Sequence, residues 1–133
     1  MSLFGALDIS ASGLSAERMR MDVTAENLAN AQTTRGANGQ PYRRKEVILQ
    51  TAGGARGAGG VQVAQIAEDT TPGKLVYDPG HPDANAQGYV QMPNVDTVTE
   101  MVDLIDSSRS YEANVTAMQA SKQMFSKTLD LLR

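Results

Sequence analysis

Residues 97–133 read TVTEMVDLIDSSRSYEANVTAMQASKQMFSKTLDLLR, and no proline or glycine interrupts them. Leu104, Tyr111, Met118, Phe125 and Leu132 recur every seven residues, with Met101, Val115 and Leu129 offset by three. This is the a/d pattern of a helix that buries a narrow seam against another helix. A helix over residues 97–132 spans about 54 Å at 1.5 Å per residue. A compact 133-residue domain has a radius of gyration of only about 14 Å. The helix therefore overhangs any globule this chain can build. Thr97-Val98-Thr99-Glu100 reads as a capping box, with Thr97 as N-cap and Glu100 reaching back.

The other end of the chain answers it. Leu7, Leu14, Met21 and Leu28 also recur at seven, with Phe4, Ala11 and Ala25 offset by three, which predicts a second helix over residues 3–30. Gly5 and Gly13 are weak points in it. Arg18 falls on the stripe, where its long stem can snorkel past the seam. Both helices carry further apolar positions: Ile9, Ala16 and Val23 on the first, and Val98, Ile105 and Ala120 on the second. A two-helix hairpin leaves those faces wet, and stripes of that length mark interaction surfaces.

Between the helices the grammar changes. Residues 36–94 are punctuated by glycine and proline, and short segments at 42–49, 61–66 and 75–77 read as strands, with 88–92 a weaker fourth. Of the second of these, only the first half alternates cleanly. Residues 52–60 carry almost no side-chain mass and read as a mobile hairpin tip. The fold expected is α+β, mainly α: two long terminal helices in a coiled-coil-like bundle with a small β-rich lobe inserted between them. The terminal segments 1–35 and 95–133 form the helical core, and 36–94 the lobe.

Composition removes several classes of function. The net charge of −3 has no strongly basic face, so nucleic acid is not expected as a partner. The absence of cysteine removes disulfides, thiol catalysis and Cys-based metal sites. There is no long apolar run and no signal-peptide layout, so neither a membrane span nor a cleaved signal is expected. The single histidine, His81, lies in Asp78-Pro79-Gly80-His81-Pro82-Asp83, with no nucleophile or second His beside it. It reads as a turn or interface residue. The glycine-rich run 53–60 lacks the Gly-Lys-Ser/Thr ending of a phosphate loop. Arg43-Arg44-Lys45, followed at once by Glu46, reads as an exposed edge strand or a salt-bridged contact. No catalytic residue, metal ligand, cofactor site or small-molecule substrate is expected.

A resemblance sharpens this. Asp22-Val23-Thr24-Ala25-Glu26-Asn27-Leu28-Ala29-Asn30-Ala31-Gln32-Thr33-Thr34 resembles the signature of the bacterial flagellar rod and hook axial proteins, with Asn27, Leu28, Ala29 and Asn30 as its core. The segments 42–47, 76–84, 88–90, 92–95, 100–103 and 108–114 look like the proximal-rod protein C family of the basal body. That resemblance runs from about residue 2 to the end. It departs mildly where the family often carries Asn, at Glu26 and at Ala31-Gln32.

The resemblance implies a non-enzymatic rod subunit in the flagellar basal body. Such a subunit crosses the periplasm, is exported by the flagellar type III apparatus without a cleaved signal, and assembles with copies of itself and other rod proteins. It also implies contact with membrane-ring, export-gate or hook-basal-body components. The assembly interface expected is Phe4, Leu7, Leu14, Met21, Leu28, Met101, Leu104, Tyr111, Met118, Phe125 and Leu132. Asn27 and Asn30 are expected to bond backbone or partner groups at the helix end, with a plain capping role equally open. The residues also fit a second class, a soluble helical-hairpin export adaptor or secretion chaperone, which would be stably helical alone.

Overall fold

A computed structural model describes residues 3–53 and 59–131, the side chains of Leu3 and Phe4 excepted. The element order is α1 (Leu3–Ala29), β1 (Lys45–Ala52), β2 (Gly60–Glu68), β3 (Leu75–Tyr77), β4 (Tyr89–Gln91) and α2 (Thr97–Leu131). The two long helices and the small antiparallel β region between them match the expected architecture. No described helix is long and apolar enough to cross a membrane.

The helices run antiparallel. Asn27 of α1 meets Glu100 of α2, and fourteen residues back along α1 Gly13 meets Asn114, fourteen residues further along α2. Gly13 is thus a contact point rather than a weak spot. A Cβ there would lie 2.9 Å from Asn114 Nδ2.

The N-cap of α2 is Asp96, not Thr97: Asp96 Oδ1 accepts the Val98 N–H at 3.0 Å, and its carbonyl accepts the Glu100 N–H. Glu100 does not reach back to the cap, because its carboxylate is committed elsewhere. At the other end α1 stops where expected. Asn30 Nδ2 donates to the Glu26 carbonyl at 2.9 Å, and Thr33 Oγ1 donates to Asn30 Oδ1.

β1 and β2 form a two-stranded antiparallel ribbon, and β3 and β4 a second, separate one. The first strand starts three residues later than expected and runs to Ala52, which pairs with Gly60. The delay has a cause: the Tyr42 N–H goes to the Thr33 carbonyl and the Arg44 N–H to Asn94 Oδ1, outside any ladder. Ala64 is extra in the register, since Ile48 faces Gln65 and Leu49 faces Val63. This bulge is why alternation in β2 fails after Val63. Ladder pairing at Ala52 and Gly60 narrows the expected tip, and residues 54–58 lie outside the described residues.

The ribbon is pinned to α1 at two points. Ser12 Oγ donates to the Ile9 carbonyl and accepts the Val61 N–H at 3.1 Å, with Gly60 so close that a Cβ would fall 2.6 Å from that oxygen. Asn27 holds β1 in the same way at Lys45. Ala16 and Val23 lie on this same face of α1 and are buried, so the ribbon covers a line expected to stay wet. In the smaller ribbon, Val90 is its buried side chain, while Leu75, Val76, Tyr77 and Tyr89 stay exposed.

Candidate assembly surface and buried polar junction

The interior of the helix pair is polar. Among the described residues the buried apolar side chains are few and small, while Thr24, Asn27, Glu100, Ser107 and Ser121 are buried. Ser107 is fully covered and satisfies its hydroxyl on the Asp103 carbonyl at 2.8 Å. On α2 the inward line is Glu100, Ser107, Asn114 and Ser121, interleaved with half-buried Leu104, Tyr111 and Met118. The expected partners offset by three behave differently. Val115 is half-buried, but Met101 and Leu129 are about half exposed; on the seven-residue line itself Phe125 is 37% exposed.

On α1, Leu7, Leu14, Met21 and Leu28 are half-buried, while Ala11, Arg18, Ala25 and Ala29 are exposed. The Phe4 side chain and Leu132, both expected on the seams, lie outside the described residues.

Outward-facing α2 residues form a second stripe. Val98 is 68% exposed, and Met101, Val102 and Ile105 about half exposed, at spacings that place all four on one face over two turns. Towards the C-terminus, Met124, Leu129 and Leu131 are exposed as well. Val98 and Ile105 were expected beyond the seam, and that is where they lie; Val102 was not singled out by its spacing.

Where α1 ends, α2 begins and β1 starts, a polar junction forms. The Asn27 amide makes every bond it can. Its Nδ2 donates to the Lys45 carbonyl at 2.8 Å and to Glu100 Oε2 at 2.9 Å. Its Oδ1 accepts from the Lys45 N–H and from Tyr42 Oη, both at 2.9 Å. Glu100, 1% exposed, gives its other oxygen to Arg44 Nε, and Arg44 Nη2 reaches Asp103 at 3.3 Å. The hydrogen bond to Glu100 is the main reason the Arg44 guanidinium is held above its ordinary range. Burial, with the carboxylates of Glu26, Glu100 and Glu68 nearby, pushes the Tyr42 phenol from 10.0 up to about 12.

Lys45 pairs with Glu26 at 2.6 Å and sits 5.8 Å over the Tyr42 ring. The basic cluster is therefore salt-bridged at two of its three positions, and Arg43 alone is exposed. Glu100, Arg44 and Tyr42 were missed as a site because their partners lie far off in the sequence.

His81 sits in the turn between β3 and β4, where its Nδ1 accepts the Asp83 N–H at 3.1 Å. Asp83 in turn takes Thr34 Oγ1 and Arg35 Nε, each at 2.9 Å. Among the described residues no cluster of His, Asp and Glu is placed to hold a metal ion.

A helix pair with a polar interior, an outward apolar stripe and a pinned β lobe is the build of a subunit that packs with neighbours. Residues 7–37 match the family described as flagella basal body rod protein, and residues 86–131 the C-terminal family of the flagellar basal body rod FlgEFG proteins. The flagellar basal-body rod protein FlgC of Bacillus subtilis is 53% identical, over 98% of this chain and 99% of its own. That of Yersinia enterocolitica is 50% identical over 98% of both chains, and that of Borreliella burgdorferi 42% identical over 100% and 99%. The chain belongs to the FlgC family of flagellar basal-body rod proteins, structural components of the rod.

Proposed function

We propose that this chain is a non-enzymatic subunit of the proximal rod, exported without a cleaved signal and polymerised through its terminal helices. It assembles with copies of itself and with other rod proteins, and contacts ring, export-gate or hook-side components at its exposed faces. The 1–35 and 95–133 segments form the assembly core and the 36–94 lobe faces outward. The expected interface residues keep their place in this reading, with Val98, Val102 and Ile105 added to them.

One observation carries it: the two-turn apolar stripe of Val98, Met101, Val102 and Ile105 that the folded monomer leaves in water. Large exposed apolar patches are rare on monomers that have no partner. Contacts between unlike surfaces of successive subunits do not close on themselves and so generate filaments. Torque then passes through long helices packed side by side.

The test is Val102→Asp or Ile105→Asp, expressed in place of the native chain in a flagellated host. Both side chains point to solvent, so the monomer should fold and be exported normally while rods stop short and motility is lost. Normal swimming in both variants would sink the reading. Leu104→Asp is a poorer probe, because Leu104 is half-buried in the monomer itself.

A further inference from the structure

We propose that the junction of Asn27, Arg44 and Glu100 is a rotational lock, which decides the face that α2 turns toward α1. Two faces compete. One seam runs through Leu104, Tyr111 and Met118 with Met101 and Val115. The other runs through the same three residues with Glu100, Ser107, Asn114 and Ser121. The two are related by a turn of α2 of about 50°, half the angle between successive helical residues. Apolar burial alone favours the first, which would bring Met101 inward and carry Ile105 towards the groove.

The fold takes the second. Ser107 is 0% exposed and Ser121 and Glu100 are buried, while Met101 and Ile105 stand in water. Seams with more serine and asparagine than leucine are not chosen for their hydrophobic gain. What fixes the choice is the end where Asn27, Arg44 and Glu100 join the helices by directional bonds.

Glu100 accepts from Asn27 of α1 and from Arg44 at the foot of β1 at once, and Asp103, one turn on, takes the second arm of Arg44. Turning α2 by half a residue breaks all three contacts, strands the Glu100 carboxylate and leaves the Arg44 guanidinium only its long pairing with Glu46, at 4.0 Å. Buried polar groups of this kind add little net stability, and fixing register is their best-attested use. Further along, Gly13 against Asn114 and the small Ser107 and Ser121 side chains admit the close approach that the locked rotation requires. The consequence is that the outward stripe stays outward. A monomer free to turn would partly bury it.

The chain has no cysteine, so engineered pairs report the rotation directly. In the full-length protein, Gly13→Cys with Asn114→Cys should form a disulfide rapidly, and Gly13→Cys with Val115→Cys slowly. In an Arg44→Met/Glu100→Leu background, which removes both charges together, the preference should reverse in favour of position 115. Glu100→Gln, which keeps an acceptor for Asn27 but sets an NH2 donor opposite Arg44 Nε and so loses that bond, should fall between. An unchanged preference for 114 in the double variant overturns the proposal. So does loss of cross-linking at both positions, which would make the junction a plain stabilising contact. The readout is intramolecular, so it stands or falls separately from rod assembly.

Discussion

Asn27 is the residue on which most of the fold converges, and its role is geometric. Its amide lies against the Lys45 N–H and C=O as a strand neighbour would, and adds one bond each to Tyr42 and Glu100. Only an amide supplies two donors and two acceptors in one plane. Asn27→Asp keeps the shape but points a carboxylate oxygen at the Lys45 carbonyl and the Glu100 carboxylate. It should lower the free energy of urea unfolding by about 3 kcal/mol, within the range for a buried group left with repulsive partners. A loss under about 1 kcal/mol would mean that the four bonds are not formed together in solution.

Tyr42 carries the pH dependence of the same junction. The phenol ionises near 10.0 when unfolded and near 12 when folded, so above pH 10 the unfolded chain gives up its proton first. Stability from this group is complete below pH 10 and drains away as the pH rises through about 12. Tyr42→Phe should lose about 1 kcal/mol near neutrality, from the bond to Asn27, yet flatten the alkaline fall measured by denaturant titration.

At the scale of elements, Gly13 shows how packing overrides propensity. Alanine in a helix interior is favoured over glycine by about 1 kcal/mol. Here the added methyl would press on Asn114, 2.9 Å away. Gly13→Ala alone should therefore show little or none of that gain, while Gly13→Ala with Asn114→Ala should recover it. A coupling of about 0.5–1 kcal/mol in the double-mutant cycle is expected, and strict additivity would remove Gly13 from the seam.

The two helices were legible because each carries its own period over many turns, and the end of α1 because Gln32-Thr33-Thr34-Arg35-Gly36 supplies β-branched and glycine breakers just past it. What sequence could not supply is what depends on distant partners. Glu100 looks like a cap residue from its neighbours, and only the fold brings Asn27, 73 positions away in sequence, to its carboxylate. The late start of β1 has the same origin, since Asn94 takes the Arg44 N–H across a separation of 50 residues. The rotation of α2 within the monomer was not legible either, because the heptad rule ranks apolar faces by size, and here the smaller and more polar face lies inside.

Across the whole molecule, the cover on α2 is uneven along its length. From Lys122 to Leu131 every α2 residue is exposed, whereas Glu100, Ser107 and Ser121 mark a covered stretch before it. Helices hold in water mainly through packing of one face rather than through propensity, so this more exposed end of about three turns should open more readily than the stretch before it. Amide hydrogen exchange on the purified monomer should show slow exchange over 100–121 and in β1 paired with β2, and rapid exchange over 122–131. On assembly with neighbouring subunits the 122–131 amides should become protected, together with those beneath Val98, Met101, Val102 and Ile105. Strong protection of 122–131 in the isolated chain would mean that the helix pair is self-sufficient along its length, as the export-adaptor alternative requires. The gradient expected instead suits the rod subunit proposed above: one end of the helix pair is set by the Asn27–Glu100 junction, and the other would be covered by a neighbour.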